Sequence, residues 1–311
     1  MPRLPSLAPF LALCAACSSP ELRWEMEPDA ALALHRDGEL VWRFAYGQDR
    51  AKPCFHPLAL PGGRTLTLDA PADHSWHHGL WFSWKLIDGV NYWEPAADGR
   101  PAGRSSWTVQ SLDGRPDGSA QLELALEYGP RERPAVLRER RVIDVHAPAA
   151  DGSFAIDWDA RFLALADCVL DRTPPPGEPK GQVNGGYAGL ALRLVNLADR
   201  DACSAAGPAV WNASDRARAV AAAFEYGGVL DGEPCGVAVL DHPSNPRAPT
   251  AWYAVRSTAM SFFCAAWLVP GVKRLTTGEE FRLRYRVIVH PGRWDAGRLR
   301  AESAAYGANP P

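Results

Sequence analysis

The densest collection of reactive side chains lies in Asp73-His74-Ser75-Trp76-His77-His78-Gly79, with His56 upstream in Phe55-His56-Pro57-Leu58. Four of the chain's eight histidines therefore fall in one short stretch. Histidine changes protonation near neutral pH and is the commonest metal ligand, so a cluster beside Asp73 suits acid–base chemistry or metal binding. The blander alternative is a Trp-rich loop whose imidazoles bond backbone carbonyls. A second group, Asp241-His242-Pro243-Ser244-Asn245-Pro246-Arg247, is stiffened by two prolines. It reads as a rigid turn with Arg247 paired to Asp241, or as a rim presenting Asp241, His242, Asn245 and Arg247 to a ligand. The third is Gln182-Val183-Asn184-Gly185-Gly186-Tyr187-Ala188-Gly189, followed by a strand carrying Arg193. It holds neither GxGxxG nor GKS/T, so it is no phosphate loop. Its glycines read as a turn or bulge that lets backbones approach closely, with Asn184 and Tyr187 facing a cleft.

Sugars are held by flat aromatic platforms and polar groups, and the 12 tryptophans beside His, Asp, Asn and Arg supply both. Trp76, Trp81, Trp84 and Trp93 are the expected platform, although alternation with Phe82 points Trp81 to a core. The expected chemistry is a histidine pair, His78 and His242, acting as acid and base on opposite faces of a sugar carbon. Asp241 would orient or ionise a neighbour. His56, His74, His77, Trp76, Asn184, Tyr187, Arg193, Asn245 and Arg247 are the expected substrate contacts. This reading of an epimerase, lyase or hydrolase requires His56, His78, His242 and His290 to converge in one concave site. No acidic pair stands out, which disfavours two-carboxylate glycosidase chemistry. A non-catalytic carbohydrate-binding protein is the second reading. A metal-dependent enzyme with ligands among His56, His74, His77 and His78 is the third. No cofactor is required by the sequence, and a divalent metal is an alternative without an HExxH spacing behind it.

The elements that must position these groups are strands. Asp37-Gly38 separates two alternating runs, a hairpin signal, and Asp113-Gly114 and Asp231-Gly232 sit likewise. Candidate strands cover 65–68, 80–86, 107–112, 121–128, 137–145, 154–165, 190–195, 236–240, 260–266 and 281–289. In 281–289, Arg282, Arg284 and Arg286 alternate with Phe281, Leu283, Tyr285 and Val287. One helix is expected, capped by Asp295 and running to about Tyr306. The four prolines in 171–180 make a long loop. A dozen or more strands imply an all-β, large two-sheet antiparallel sandwich forming one domain over 21–311.

The 311 residues carry 36 acidic and 33 basic side chains, a near balance that disfavours a nucleic-acid partner. The partner is a small-molecule or oligosaccharide substrate. The apolar run that follows Arg3 is too short to span a bilayer and reads as an export signal over 1–17. Its end, Leu13-Cys14-Ala15-Ala16-Cys17, looks like a lipoprotein signal, so membrane contact would come only through lipid at Cys17. The protein is expected to be exported, as a periplasmic or cell-surface lipoprotein. Cys54, Cys168, Cys203, Cys235 and Cys264 are scattered without a CxxC pair, which excludes a zinc ribbon. One or two disulfides among them would still leave a free thiol.

Together, Phe55-His56-Pro57-Leu58, Asp73-His74 with His77-His78-Gly79-Leu80-Trp81-Phe82, Gly186-Tyr187-Ala188-Gly189-Leu190, the Asp241–Arg247 block and Tyr285-Arg286-Val287 with His290 resemble a secreted bacterial family labelled "methane oxygenase PmoA-like". The resemblance implies a galactose-mutarotase-like supersandwich found among sugar-degradation proteins. It does not imply methane oxidation, because the membrane subunit of that name is polytopic and no membrane span follows the signal here.

Overall fold

The computed structural model of the chain describes residues 20–308. The export signal expected over 1–17, with Cys17, lies outside the described residues. The alternating runs form antiparallel strands, and two of the three expected Asp-Gly pairs make the hairpin turns; Asp113-Gly114 instead ends the strand Gly103–Gly114, and that turn falls over 115–118. Asp37 and Gly38 take φ of 54° and 83° between strands Ala31–Arg36 and Glu39–Ala45. Asp231 and Gly232 do the same, at 52° and 85°, between Ala223–Leu230 and Glu233–Asp241. In Glu280–Pro291, Leu283, Tyr285 and Val287 are buried. On its opposite face, Arg282 and Arg286 reach across to Asp159 and Asp157 of Phe154–Ala164.

The strands assemble into sheets of ten, nine and four. The two large sheets stack over one apolar core, where Leu80, Phe82 and Phe263 of the ten-stranded sheet meet Trp158, Val239 and Leu283 of the nine-stranded sheet. The expected sandwich is therefore present, with a small third sheet added at one end. That sheet pairs Leu86–Ile87, Val90–Asn91, Cys168–Asp171 and Lys273–Leu275, strands too short to show an alternation. The run expected as one strand over 80–86 is split, with Leu80–Ser83 in the large sheet and Leu86–Ile87 in the small one. Of the run expected over 65–68, only Arg64–Thr65 is a strand.

Part of the outer face of each large sheet is covered. Ala238, Leu240 and Ile288 lie under Leu299 and Tyr306 of the C-terminal helix Ala296–Gly307. Asp295 caps that helix as expected, accepting from the Arg298 N–H at 2.8 Å. On the ten-stranded sheet, Trp81, Phe262 and Cys264 point away from the main core. They floor the region where loops 69–79, 92–95 and 182–188 gather. Cys54, Cys168, Cys203, Cys235 and Cys264 are all free thiols, four of them buried. No helix among the described residues is long and apolar enough to cross a membrane.

Candidate functional site

The loop over 69–79 is closed by its own backbone. Ala70 N–H donates to His77 O at 2.8 Å and Gly79 N–H to Leu68 O at 3.0 Å. Gly79 has φ 55°, and a Cβ there would lie 2.2 Å from Phe55 O, so only glycine lets the loop rejoin the sheet. Arg193, buried in the sheet, donates from Nη2 to Asp73 Oδ2 at 2.9 Å and to Ala259 O at 2.8 Å. Asp73 in turn accepts from His74 Nδ1 at 2.8 Å. With Nδ1 donating to the carboxylate, Nε2 is the other nitrogen of a ring that lines the rim. His77 packs beneath it, its ring 5.0 Å from Phe262 and 5.2 Å from Trp81. Burial, with the nearby charges of Arg193 and Lys52, drives the His77 imidazole down to about 2, so it is neutral at physiological pH.

The turn after Val90–Asn91 supplies a carboxylate. Asn91 Oδ1 accepts from the Trp93 and Glu94 N–H groups at 2.8 and 3.2 Å, a local side-chain turn. Asn91 Nδ2 donates to Glu94 Oε2 at 2.7 Å. Lys85 bonds the same oxygen, and the Tyr187 hydroxyl donates to Oε1. Burial raises the Glu94 carboxyl, but Lys85, Tyr187 and Asn91 outweigh it and hold the group below its ordinary value. Burial and the Glu94 charge push the Tyr187 phenol up, so it stays a donor. Lys52 lies behind, buried, donating to Trp93 O at 3.1 Å, and burial pulls its ammonium down to about 8.

The third wall is the loop over 182–188. A Cβ at Gly185 would sit 1.9 Å from Pro174 O, which explains its glycine as the close approach expected. Arg218 pins the loop by donating to Gly185 O at 2.6 Å and Val183 O at 3.1 Å, while its guanidinium covers the Tyr253 ring at 4.6 Å. Arg216, one turn of the pleat away on the edge strand Arg216–Val220, donates from Nε to the Tyr253 hydroxyl at 3.1 Å. Between these walls is a cleft of about 220 Å³. The aromatic residues Trp76, Trp93, Tyr187, Tyr253 and Phe262 line it, with His74, His77, Glu94, Asn184 and Arg216 as its polar groups. Glu94 is the one carboxylate among those lining residues.

Of the residues expected from sequence, His74, Trp76, His77, Asn184, Tyr187 and Trp93 thus meet in the cleft. The remainder do not, and the expected convergence of His56, His78, His242 and His290 is absent. His78 is buried, its Nδ1 donating to Asp69 Oδ1 at 2.9 Å, and Asp69 is also bound by Arg50 at 2.6 Å. His56 bonds the Thr67 hydroxyl at 3.0 Å. His242 lies on the far side of the molecule, against Tyr306 of the C-terminal helix at 5.1 Å and Ser244 Oγ at 2.7 Å. The whole inter-sheet core separates His242 from the cleft, so it cannot pair with His78 on one substrate. Asp241 accepts from Asn245 Nδ2 and Thr250 N–H, both at 2.7 Å, and burial raises its carboxyl to about 6. Arg247 does not hold Asp241; it donates to Gly271 O and Val272 O and stacks on Trp267. The Asp241–Arg247 block thus lies apart from this cleft, beside the C-terminal helix, and Arg193 acts behind Asp73 without reaching the cleft. His290 stacks on Trp294 at 4.1 Å. Trp81 is cleft floor and Trp84 inter-sheet core.

No group of three or more His, Cys, Asp or Glu among the described residues is placed to hold a metal ion. His56, His74 and His78 bond different partners instead, and His77 packs among aromatic rings. Sequence reasoning missed Glu94, Arg216, Tyr253 and Phe262. Glu94 had a local signal, an acid following Asn91-Tyr92-Trp93 in a turn. The other three sit on Arg216–Val220, Ala251–Ser257 and Met260–Ala265, which only the sheet order brings together.

The family profile described as "Family of unknown function (DUF6807)" matches residues 31–304. The methane oxygenase PmoA-like label is not supported by any comparison. No curated protein sequence matches the chain. Among solved structures, the galactosidase domain of an α-galactosidase-sucrose kinase is similar at 11% identity and TM-score 0.46, over 87% of this chain and 42% of that one. A galactose mutarotase related enzyme from Lactobacillus acidophilus is similar at 10% identity and TM-score 0.40, over 88% of this chain and 97% of that one. A heparan sulfate lyase from Pedobacter heparinus is similar at 9% identity and TM-score 0.42, over 89% and 38%. This chain therefore spans about two fifths of the galactosidase and the lyase. At such identities and scores no activity passes to this chain.

Proposed function

We propose that this chain, which belongs to the family of unknown function DUF6807, is a carbohydrate-active enzyme whose cleft performs acid–base chemistry on a bound sugar. The observation that carries the reading is the meeting of aromatic side chains with an ionised carboxylate and an oriented imidazole in one cleft. Aromatic rings stack on the apolar faces of a pyranose, while Asn184, His77 and Arg216 offer hydrogen bonds to its hydroxyls. Glu94, kept ionised, serves as base. His74, oriented by Asp73, delivers the proton from the rim. A single cleft carboxylate favours proton transfer, as in epimerases and lyases, over two-carboxylate glycoside hydrolysis.

The test is a matched set of saccharides followed by NMR for binding and for product. Wild type should bind and turn over one series, and Glu94→Gln should bind without turning over. Binding by both with no product from either supports the alternative, a carbohydrate-binding protein. The same proposal includes export through 1–17 with lipid on Cys17. Labelled fatty acid should then attach to wild type in a bacterial host and not to Cys17→Ala.

A further inference from the structure

The charged side chains of the cleft lining are Glu94 and Arg216. Glu94 is already neutralised by Lys85. Behind the lining, Arg193 is bonded to Asp73, Lys52 is buried against Trp93 O, and Arg218 donates to the loop carbonyls of Val183 and Gly185. Asp215, beside Arg216 in sequence, is engaged by Arg256 at 3.5 Å. Arg216 is thus left as the lining charge with no carboxylate bonded to it among the described residues, in a concave surface whose low-dielectric walls concentrate its field.

Arg216 is the group placed to use that field. Its Nε donates to the Tyr253 hydroxyl at 3.1 Å and its Nη1 to Ser214 O at 2.6 Å. These two bonds fix the plane of the guanidinium. Its Nη2 has no hydrogen-bond partner among the described residues, and the side chain lines the cleft. An arginine held in orientation with an unfilled donor edge suits an oxyanion, because guanidinium geometry matches carboxylate and sulfate oxygens. Asn184 lines the same cleft with an amide able to donate to the anion as well. A neutral sugar would leave the Arg216 charge uncompensated on desolvation.

We propose that the cleft selects saccharides bearing an anionic group, a uronic carboxylate or a sulfate ester, and that Arg216 is the residue that selects it. This rests on the carbohydrate reading above and deepens it. Calorimetric binding to trisaccharides in matched pairs tests it: galacturonate against galactose, glucuronate against glucose, and 6-sulfated galactose against galactose. At least one acidic member should bind tenfold or more tighter than its neutral twin, and which one does separates carboxylate from sulfate. Raising sodium chloride from 50 to 500 mM, about a threefold shorter screening length, should erode the acidic member's advantage. Arg216→Gln should bring the acidic-to-neutral ratio toward one, and Arg216→Lys should keep part of it. Should Arg216→Gln prove unstable, the salt dependence of wild type decides alone. Equal binding of acidic and neutral twins overturns the inference while leaving the carbohydrate reading standing. Binding of no saccharide in either series overturns both.

Discussion

Glu94 and His74 are asked to do different work, and their surroundings fit the difference. The carboxylate is locked among Lys85, Tyr187 and Asn91, whereas the imidazole has one nitrogen tied to Asp73 and the other toward the cleft. Glu94→Gln and His74→Ala should each lower turnover at least about a hundredfold. The first also leaves Lys85 without its carboxylate, costing about 1–3 kcal/mol by chemical denaturation. Because the Glu94 carboxyl is held below the ordinary 4.5 in spite of burial, its base form survives as pH falls through that value. The acid limb of the rate profile due to Glu94 should therefore lie below pH 4.5. A limb at pH 6 would assign the base elsewhere. By contrast, His242→Ala should leave turnover unchanged and cost about 1–2 kcal/mol, since it removes packing on Tyr306 and a bond to Ser244. At this scale, the sequence showed which loop was rich in chemistry but not which of its residues pointed where. Adjacent His77 and His78 differ only in the partner each finds, Phe262 for one and Asp69 for the other.

The strands most readable from sequence are those with one polar and one apolar face. Leu137–Val145 alternates strictly between buried and less buried positions, and its expected limits are those observed. Gly189–Leu194 is buried at every position, because the cleft loops cover one face and the second sheet the other. Such covering erases the alternation that marks a half-exposed strand. It also hides chemistry, as at Glu225 on Ala223–Leu230. This carboxyl is 3% exposed, with Oε1 buried and lacking a partner among the described residues. A Cβ at Gly236 would lie 2.3 Å from that oxygen, so the glycine makes room for the acid. Burial raises Glu225 to about 8, above its unfolded value near 4.5. The folded state thus holds a proton that the unfolded chain releases. The stability this contributes is complete below pH 4.5 and is lost as pH rises through 8, with a slope of at most about 1.4 kcal/mol per pH unit. Denaturant titrations of Glu225→Gln should lack that slope, and identical slopes in the two proteins would refute the raised value. At the helix, Asp295→Ala should cost about 1 kcal/mol through loss of the cap on Arg298.

For the whole molecule, buried imidazoles oppose the effect of Glu225. Burial lowers His77 to about 2 and His290 to about 4, both from 6.5, so the unfolded chain takes up protons first as pH falls. Their contribution is present above pH 6.5 and is lost on acidification toward the folded values. In a Glu225→Gln background, unfolding free energy should therefore decline between pH 6.5 and 4, measured by denaturant at each pH. The two-sheet plan was legible because hairpin signals and long alternating strands are local. The pairing of Gly189–Leu194 with Met260–Ala265, which brings the cleft walls together, joins segments far apart in the chain and leaves no local trace. That same sheet has a consequence for how the protein can change. Successive residues serve separate tasks: Phe82 and Phe263 bind the two sheets together, while Trp81 and Phe262 support the cleft. Side-chain variation confined to the second set strains only the covering loops. A laboratory library restricted to those outward positions should hence yield many folded members with altered ligand choice. One shifted by a single residue along each strand should yield few that fold at all.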